Sequence, residues 1–158
     1  MNKTKKISYL GIGTALYVAI SIFVKIPLVN RIRFEMGYAV FGLYIPTFSY
    51  AASFVGVAGC ILSNMLTGGS FPLAWAVGQL FTGLMTAFVC KKTENTVIRC
   101  IFGAVAVFIG VGLIKTFLEI LIFRFPFWAK FTSNLVAVVA DAIPFLIGIG
   151  LSKKFRLK

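Results

Sequence analysis

The sequence predicts an all-α integral membrane protein with six transmembrane helices and both termini in the cytoplasm, and three observations carry that expectation. The chain is almost continuously apolar from Ile7 to Leu151. Hydrophobic residues make up 59% and charged residues 13%, with a mean hydropathy of +0.97, against roughly a quarter charged in an average soluble domain. The Lys and Arg residues stand mostly at the ends of apolar runs, where they meet lipid headgroups and set topology. A soluble fold of 158 residues cannot hide this much apolar surface.

A helix needs about 20 residues to cross the hydrocarbon core, with about 17 tolerated. The first span, 7–24, follows Lys3, Lys5 and Lys6 and so resembles a signal peptide. Its apolar run continues to Val24, however, and Lys25-Ile26-Pro27 follows without a small-residue cleavage site, so it is expected to stay as an uncleaved span. Clear spans also lie at 72–90, 98–122 and 131–151. The stretch from Met36 to Leu66 is too long for one ordinary crossing and short for two. Charge decides between them, because Lys3/Lys5/Lys6, Lys91/Lys92 and Lys153/Lys154/Arg156/Lys158 are the dense basic clusters, and the positive-inside rule places all three in the cytoplasm. Only a double crossing does so. Pro46 lacks an amide hydrogen and disfavours helix at Ile45, so a tight cytoplasmic turn is expected there, between short or tilted spans at 36–45 and 48–66.

The external connections then fall at 25–35, 67–71 and 123–130. The first carries Lys25, Arg31, Arg33 and Glu35 and is the longest polar connection; the second holds Thr67-Gly68-Gly69-Ser70; the third, from Phe123 to Lys130, is aromatic and basic. Together they are placed to cover one external pocket, although an aromatic belt at the membrane interface explains 123–130 equally well. The chain reads as one domain, 1–158, without a convincing internal repeat.

Composition narrows the function. A net charge of +12 suggests nucleic acid in a soluble chain, but here the cations flank spans, and no nucleic-acid partner is expected. There is no His, and Glu35, Glu94, Glu119 and Asp141 are the only carboxylates, which leaves little for hydrolytic or metal chemistry. Cys60, Cys90 and Cys100 form no CxxC and read as small buried apolar residues. No GxxxxGK[ST] phosphate loop is present. Neither enzyme activity nor a cofactor is expected, and accumulation against a gradient has to draw on another chain or an ion gradient.

Polar groups inside spans are expensive and therefore informative. Lys115 and Glu119 lie four residues apart and face the same way, as an internal ion pair or as substrate contacts. Asn134 and Asp141, seven apart, share a face of the last helix; Asp141 needs a partner, with Lys115 or an external Arg the obvious choice, and Asn134, nearer the external end, is the better ligand contact. Gln79 and Asn64 fit hydrogen bonds between helices. Trp75 is an interfacial anchor or a stacking platform. Gly11, Ala15 and Ala19 recur every four residues on the first helix, a smooth stripe along which another helix can approach closely.

Six short helices in a small basic protein combine with Ala15-Leu-Tyr-Val-Ala19 as an AxxxA motif and a polar first external loop. To these are added Gly37-Tyr-Ala-Val-Phe-Gly42, Gly56-Val-Ala-Gly59 with Asn64, and Gly69-Ser-Phe71 before the fourth helix. Over nearly the whole chain this pattern resembles the substrate-binding S components of energy-coupling factor (ECF) transporters, the vitamin-uptake branch of the ABC transporters. The resemblance implies a multi-pass protein of the bacterial plasma membrane that binds a small water-soluble vitamin or related precursor from outside. It further implies toppling in the membrane when the Gly11/Ala15/Ala19 face docks on a transmembrane coupling subunit driven by two ATPase subunits. From the residues themselves, the candidate substrate site draws on Arg31, Arg33, Glu35, Trp75, Gln79, Lys115, Glu119, Asn134 and Asp141. The specificity loops match no thiamine, riboflavin or biotin pattern. The competing reading is a membrane scaffold or assembly protein in which Lys115, Glu119 and Asp141 merely lock helices.

Overall fold

The computed structural model describes residues 2–27 and 33–154. Its elements run α1 (Lys3–Phe23), β1 (Lys25–Pro27), β2 (Arg33–Glu35), α2 (Gly37–Phe48), a 3-10 turn (Ser49–Ala52) and α3 (Ser53–Leu66). They continue with α4 (Leu73–Lys92), α5 (Thr96–Val107), a π-helical stretch (Phe108–Lys115), α6 (Thr116–Phe123) and α7 (Phe127–Leu151). Five helical stretches among the described residues are long and apolar enough to cross a membrane, and one of them, Gly37–Leu66, is the α2–α3 pair.

Burial follows the logic of lipid rather than water. Large apolar side chains such as Phe54, Phe117, Val139 and Ile147 face outward, while Gln79, Thr82, Thr86, Lys115, Asn134 and Asp141 are buried. With a lipid exterior as apolar as the side chains, close backbone packing and internal hydrogen bonds replace the hydrophobic effect as the glue between helices. Thr82 donates its hydroxyl proton to the Gly78 or Ala106 carbonyl, at 3.0 and 3.2 Å, tying α4 to α5. The aromatic centre of the bundle is Tyr38, Phe41 and Phe145, with the Phe41 and Phe145 rings 5.3 Å apart.

The chain breaks at Ser49, not at Pro46. Pro46 lies inside α2, and the turn begins with Ser49 at φ 55°. Local propensity was overridden by packing. α2 and α7 run backbone against backbone, where a Cβ on Gly42 would strike the Phe145 carbonyl and one on Gly148 the Ala39 carbonyl. That contact holds α2 helical past the proline. The Ser49–Ala52 turn sits at the α4 C-terminus, with the Lys91 ammonium 4.2 Å from the centre of the Tyr50 ring.

Other boundaries moved by a few residues. α7 begins at Phe127, four residues before the expected 131, directly after Pro126, a residue suited to helix entry because its φ is preset. Asn95 caps α5 by accepting the Val97 amide at 2.9 Å. Arg99, which the sequence did not single out, is buried and closes the other side of this corner. Its guanidinium donates to the Thr93 carbonyl at 2.7 Å and the Cys90 carbonyl at 3.0 Å, satisfying carbonyls at the end of α4. The first polar connection is not wholly irregular: β1 and β2 pair antiparallel, with Lys25 opposite Glu35 and Ile26 opposite Phe34. Cys60, Cys90 and Cys100 are free thiols, the first two buried and the third half-buried.

Candidate functional site

The β1–β2 end of the bundle encloses a cavity of about 360 Å³. The second halves of α1 and α3, the first half of α4 and α7 as far as Asp141 line it, together with β2, the end of the π-helical stretch and α6. On α7 the lining residues are Lys130, Ser133, Asn134, Ala137 and Asp141. Spacings of three and four put them on one helical face.

Of the residues expected at the site, Glu35, Trp75, Gln79, Lys115, Glu119, Asn134 and Asp141 all line this one cavity. Arg31 lies outside the described residues. Arg33 pairs through its backbone with Pro27, and its side chain is likewise outside the described part. Asn64 lines the wall too, but its main-chain carbonyl accepts the Gly69 amide at 2.9 Å, so it also shapes the α3–α4 turn.

The π-helical stretch delivers Lys115, its last residue, into a polar cluster. The ammonium donates to Asn134 Oδ1, lies 3.4 Å from Glu119 Oε1 and stands 4.0 Å above the centre of the Trp75 ring. The Asn134 amide donates to the Thr116 hydroxyl at 2.8 Å and to Glu119 Oε2 at 2.9 Å. Lys130 completes the cluster, 3.4 Å from Glu119 Oε2. Glu119 is thus shared between two cations and an amide. The expected pairing of Asp141 with Lys115 is not formed: no salt bridge joins them, and Lys115 takes Asn134 and Glu119 instead. The reason is axial position. Asp141 lies seven residues, about 10 Å, further along α7 than Asn134, whereas Asn134 is level with the turn that carries Lys115 and Glu119.

Deeper in the cavity, Gln79 donates to the Tyr17 hydroxyl at 2.9 Å, joining α4 to α1. Tyr17 was not anticipated as a lining residue, although it sits two positions beyond Ala15, on the opposite face from the small-residue stripe. Gly59 makes room for it, since a Cβ there would lie 2.5 Å from the Tyr17 ring. Asp141 is 1% exposed, and its Oδ2 has no hydrogen-bond partner among the described residues; the same holds for Oε1 of Gln79. Among the described residues no group of three His, Cys, Asp or Glu side chains gathers to hold a metal ion. The arrangement offers donors, acceptors and aromatic surface for holding a small molecule.

A second hollow, almost wholly apolar, runs along the outside of α1 and α3. Gly11, Ala15 and Ala19 form one wall, with Phe54, Ala58 and Leu62 opposite. The buried residues of α1 are Gly13, Thr14 and Tyr17, whereas Gly11 and Ala15 are exposed and Ala19 is half-buried.

Comparison with known proteins gives this geometry its family. A UPF0397 protein of Streptococcus thermophilus is 27% identical over 157 residues, covering 93% of this chain and 87% of its own. A UPF0397 protein of Enterococcus faecalis is 29% identical over 163 residues, covering 96% and 89%. Among solved structures, the S component for biotin from an ECF-type ABC transporter superposes with a TM-score of 0.66 at 19% identity, covering 99% of this chain and 94% of that one, a likeness of fold. The family model described as ECF-type riboflavin transporter, S component, matches residues 1–155. The chain therefore belongs to the family of ECF-type riboflavin transporter S components, and is a multi-pass, substrate-binding subunit of a membrane transporter.

Proposed function

We propose that this S component captures a small water-soluble vitamin or related precursor outside the cell in the cavity at the β1–β2 end. The observation that carries this reading is the cavity itself: seven polar or aromatic residues from β2, α4, the π-helical stretch, α6 and α7 converge on one space. Polar groups at membrane depth are costly and mark substrate pathways. Arg31 and Arg33 are assigned to the roof on the strength of their place in the first external connection.

The basic clusters support an orientation with both termini in the cytoplasm and six crossings, in which α2 and α3 each cross as short helices. The Ser49–Ala52 turn beside Lys91 fits that path. Gly11, Ala15 and Ala19 are the proposed docking face for a transmembrane coupling subunit driven by two ATPase subunits, because bulky side chains there would keep a partner helix at a distance. Family membership displaces the scaffold alternative.

Mass spectrometry of small molecules released from protein purified in lipid nanodiscs, together with titration of riboflavin, is the test. A specific released compound, or saturable binding that is lost on altering cavity residues, is the expected result. Binding unaffected by every cavity substitution would move the site elsewhere.

A further inference from the structure

We propose that the end of the bundle away from the cavity carries a binding site for an anionic phospholipid, with the headgroup phosphate at Lys91 and Lys92 and an acyl chain along the outward face of α4.

α4 divides lengthwise. Thr82, Gly83, Thr86, Ala87 and Cys90 are buried in the bundle, whereas Leu80, Phe81, Leu84 and Phe88 are 38–49% exposed and Lys91 and Lys92 are exposed beside them. At 3.6 residues per turn these last six fall within about one third of the helix circumference. They form one apolar strip that ends in two ammonium groups. From Leu80 to Lys92 the rise is about 18 Å, close to the ~15 Å of hydrocarbon in one leaflet.

Both ammoniums are held over rings at the end of that strip. Lys92 lies 4.2 Å from the centre of the Phe88 ring, so it folds back one turn along the strip. Lys91 stands 4.2 Å from the ring of Tyr50, on the Ser49–Ala52 turn. A ring face engages one side of an ammonium and leaves other N–H donors for a second partner. Neither lysine forms a salt bridge with a described carboxylate, so the charge of both is available to an anion.

The surroundings add to that charge. Lys3, Lys5, Lys153 and Lys154 are exposed on the ends of α1 and α7 that point away from the cavity. Clusters of about four to eight cations beside a span attract anionic headgroups. A free phosphate would meet the ammoniums and leave the strip unused. A phospholipid engages both, because its phosphate and its chain are joined as the ammoniums and the strip are.

Native mass spectrometry of the full-length protein, released from nanodiscs of phosphatidylglycerol mixed with phosphatidylcholine, counts the lipids that stay bound. Retained phosphatidylglycerol is expected on the parent protein. Lys91→Gln with Lys92→Gln should weaken that retention at least ~10-fold, the scale of two lysines near an anionic headgroup. Lys153→Gln with Lys154→Gln removes the same charge from the same end and should leave retention largely intact. Melting in phosphatidylcholine nanodiscs checks that the variants fold, and Lys92→Gln alone gives the reading where the first pair does not. Equal retention of the two lipids, or equal loss in both double variants, overturns the site in favour of a diffuse field. Displacement of the lipid by inorganic phosphate, at an ionic strength matched with sodium chloride, overturns it in favour of a soluble anion.

Discussion

The Lys115 ammonium donates to the side-chain oxygen of Asn134, nineteen residues away on another helix, and both groups are buried. Asn134 in turn spends both amide hydrogens, on Thr116 and Glu119. All its polar atoms are engaged inside the protein. Asn134 is thus the hub that aligns Lys115 and Glu119, as well as a wall of the cavity. Asn134→Ala should cost about 1.5–3 kcal/mol, because it removes a buried hydrogen bond to each of two charged groups, Lys115 and Glu119, that then keep only their ion pairs. Thermal unfolding in detergent or nanodiscs measures it, and a melting temperature equal to the parent would show that the cluster rearranges without cost.

The path of Lys115 into the cavity depends on a close approach between α4 and the π-helical stretch. A Cβ on Gly78 would lie 2.6 Å from the Gly110 carbonyl oxygen, and one on Gly110 would strike the Gly78 carbonyl in return. Backbone cannot yield as a flexible side chain does. Gly78→Ala or Gly110→Ala should destabilise by about 1–3 kcal/mol, the usual cost of overpacking, and should weaken ligand binding by displacing Lys115. Unchanged melting and binding in both variants would mean that the two helices separate freely.

The two faces of α1 predict opposite outcomes for neighbouring glycines. A Cβ on Gly11 meets nothing within 4 Å, whereas one on Gly13 would lie 2.5 Å from the Tyr44 ring. Gly11→Leu, and the double change Ala15→Arg with Ala19→Arg, should leave the isolated protein folded and ligand-competent while impairing association with the coupling subunit and cellular uptake. Gly13→Leu should damage folding itself. Normal uptake in the Ala15→Arg, Ala19→Arg variant would reject this face as the docking surface.

Orientation is open to cysteine labelling in intact cells, after replacement of Cys60, Cys90 and Cys100. Single cysteines near Asn30 and at Trp128 should react with a membrane-impermeant reagent, and those near Glu94 and at Lys154 should be protected. Trp128 is 73% exposed, so the parent geometry offers no steric shield there. Reaction at Glu94 from outside would contradict six crossings with cytoplasmic ends.

Much of this molecule was legible in one dimension, for a physical reason: lipid permits few ways to satisfy a backbone, so long apolar runs have to be helices. The membrane class, the positions of four of the runs and the spacing that sets Lys115 above Glu119 and Asn134 on the face of Asp141 all follow from composition and helical period. The small-residue stripe on α1 was equally visible, since a four-residue recurrence needs no partner to be recognised. What the sequence by itself did not determine is which side chain answers which. Pro46 stays in its helix because α7 packs against α2 at Gly42 and Gly148, a contact made by residues about a hundred positions apart along the chain. Lys115 takes Asn134 rather than Asp141 because the axial offset of two packed helices, together with the π-helical stretch before it, decides which of two groups on one face is level with the ammonium. Helical period assigns a residue to a face; only the relative height of the helices assigns it a partner.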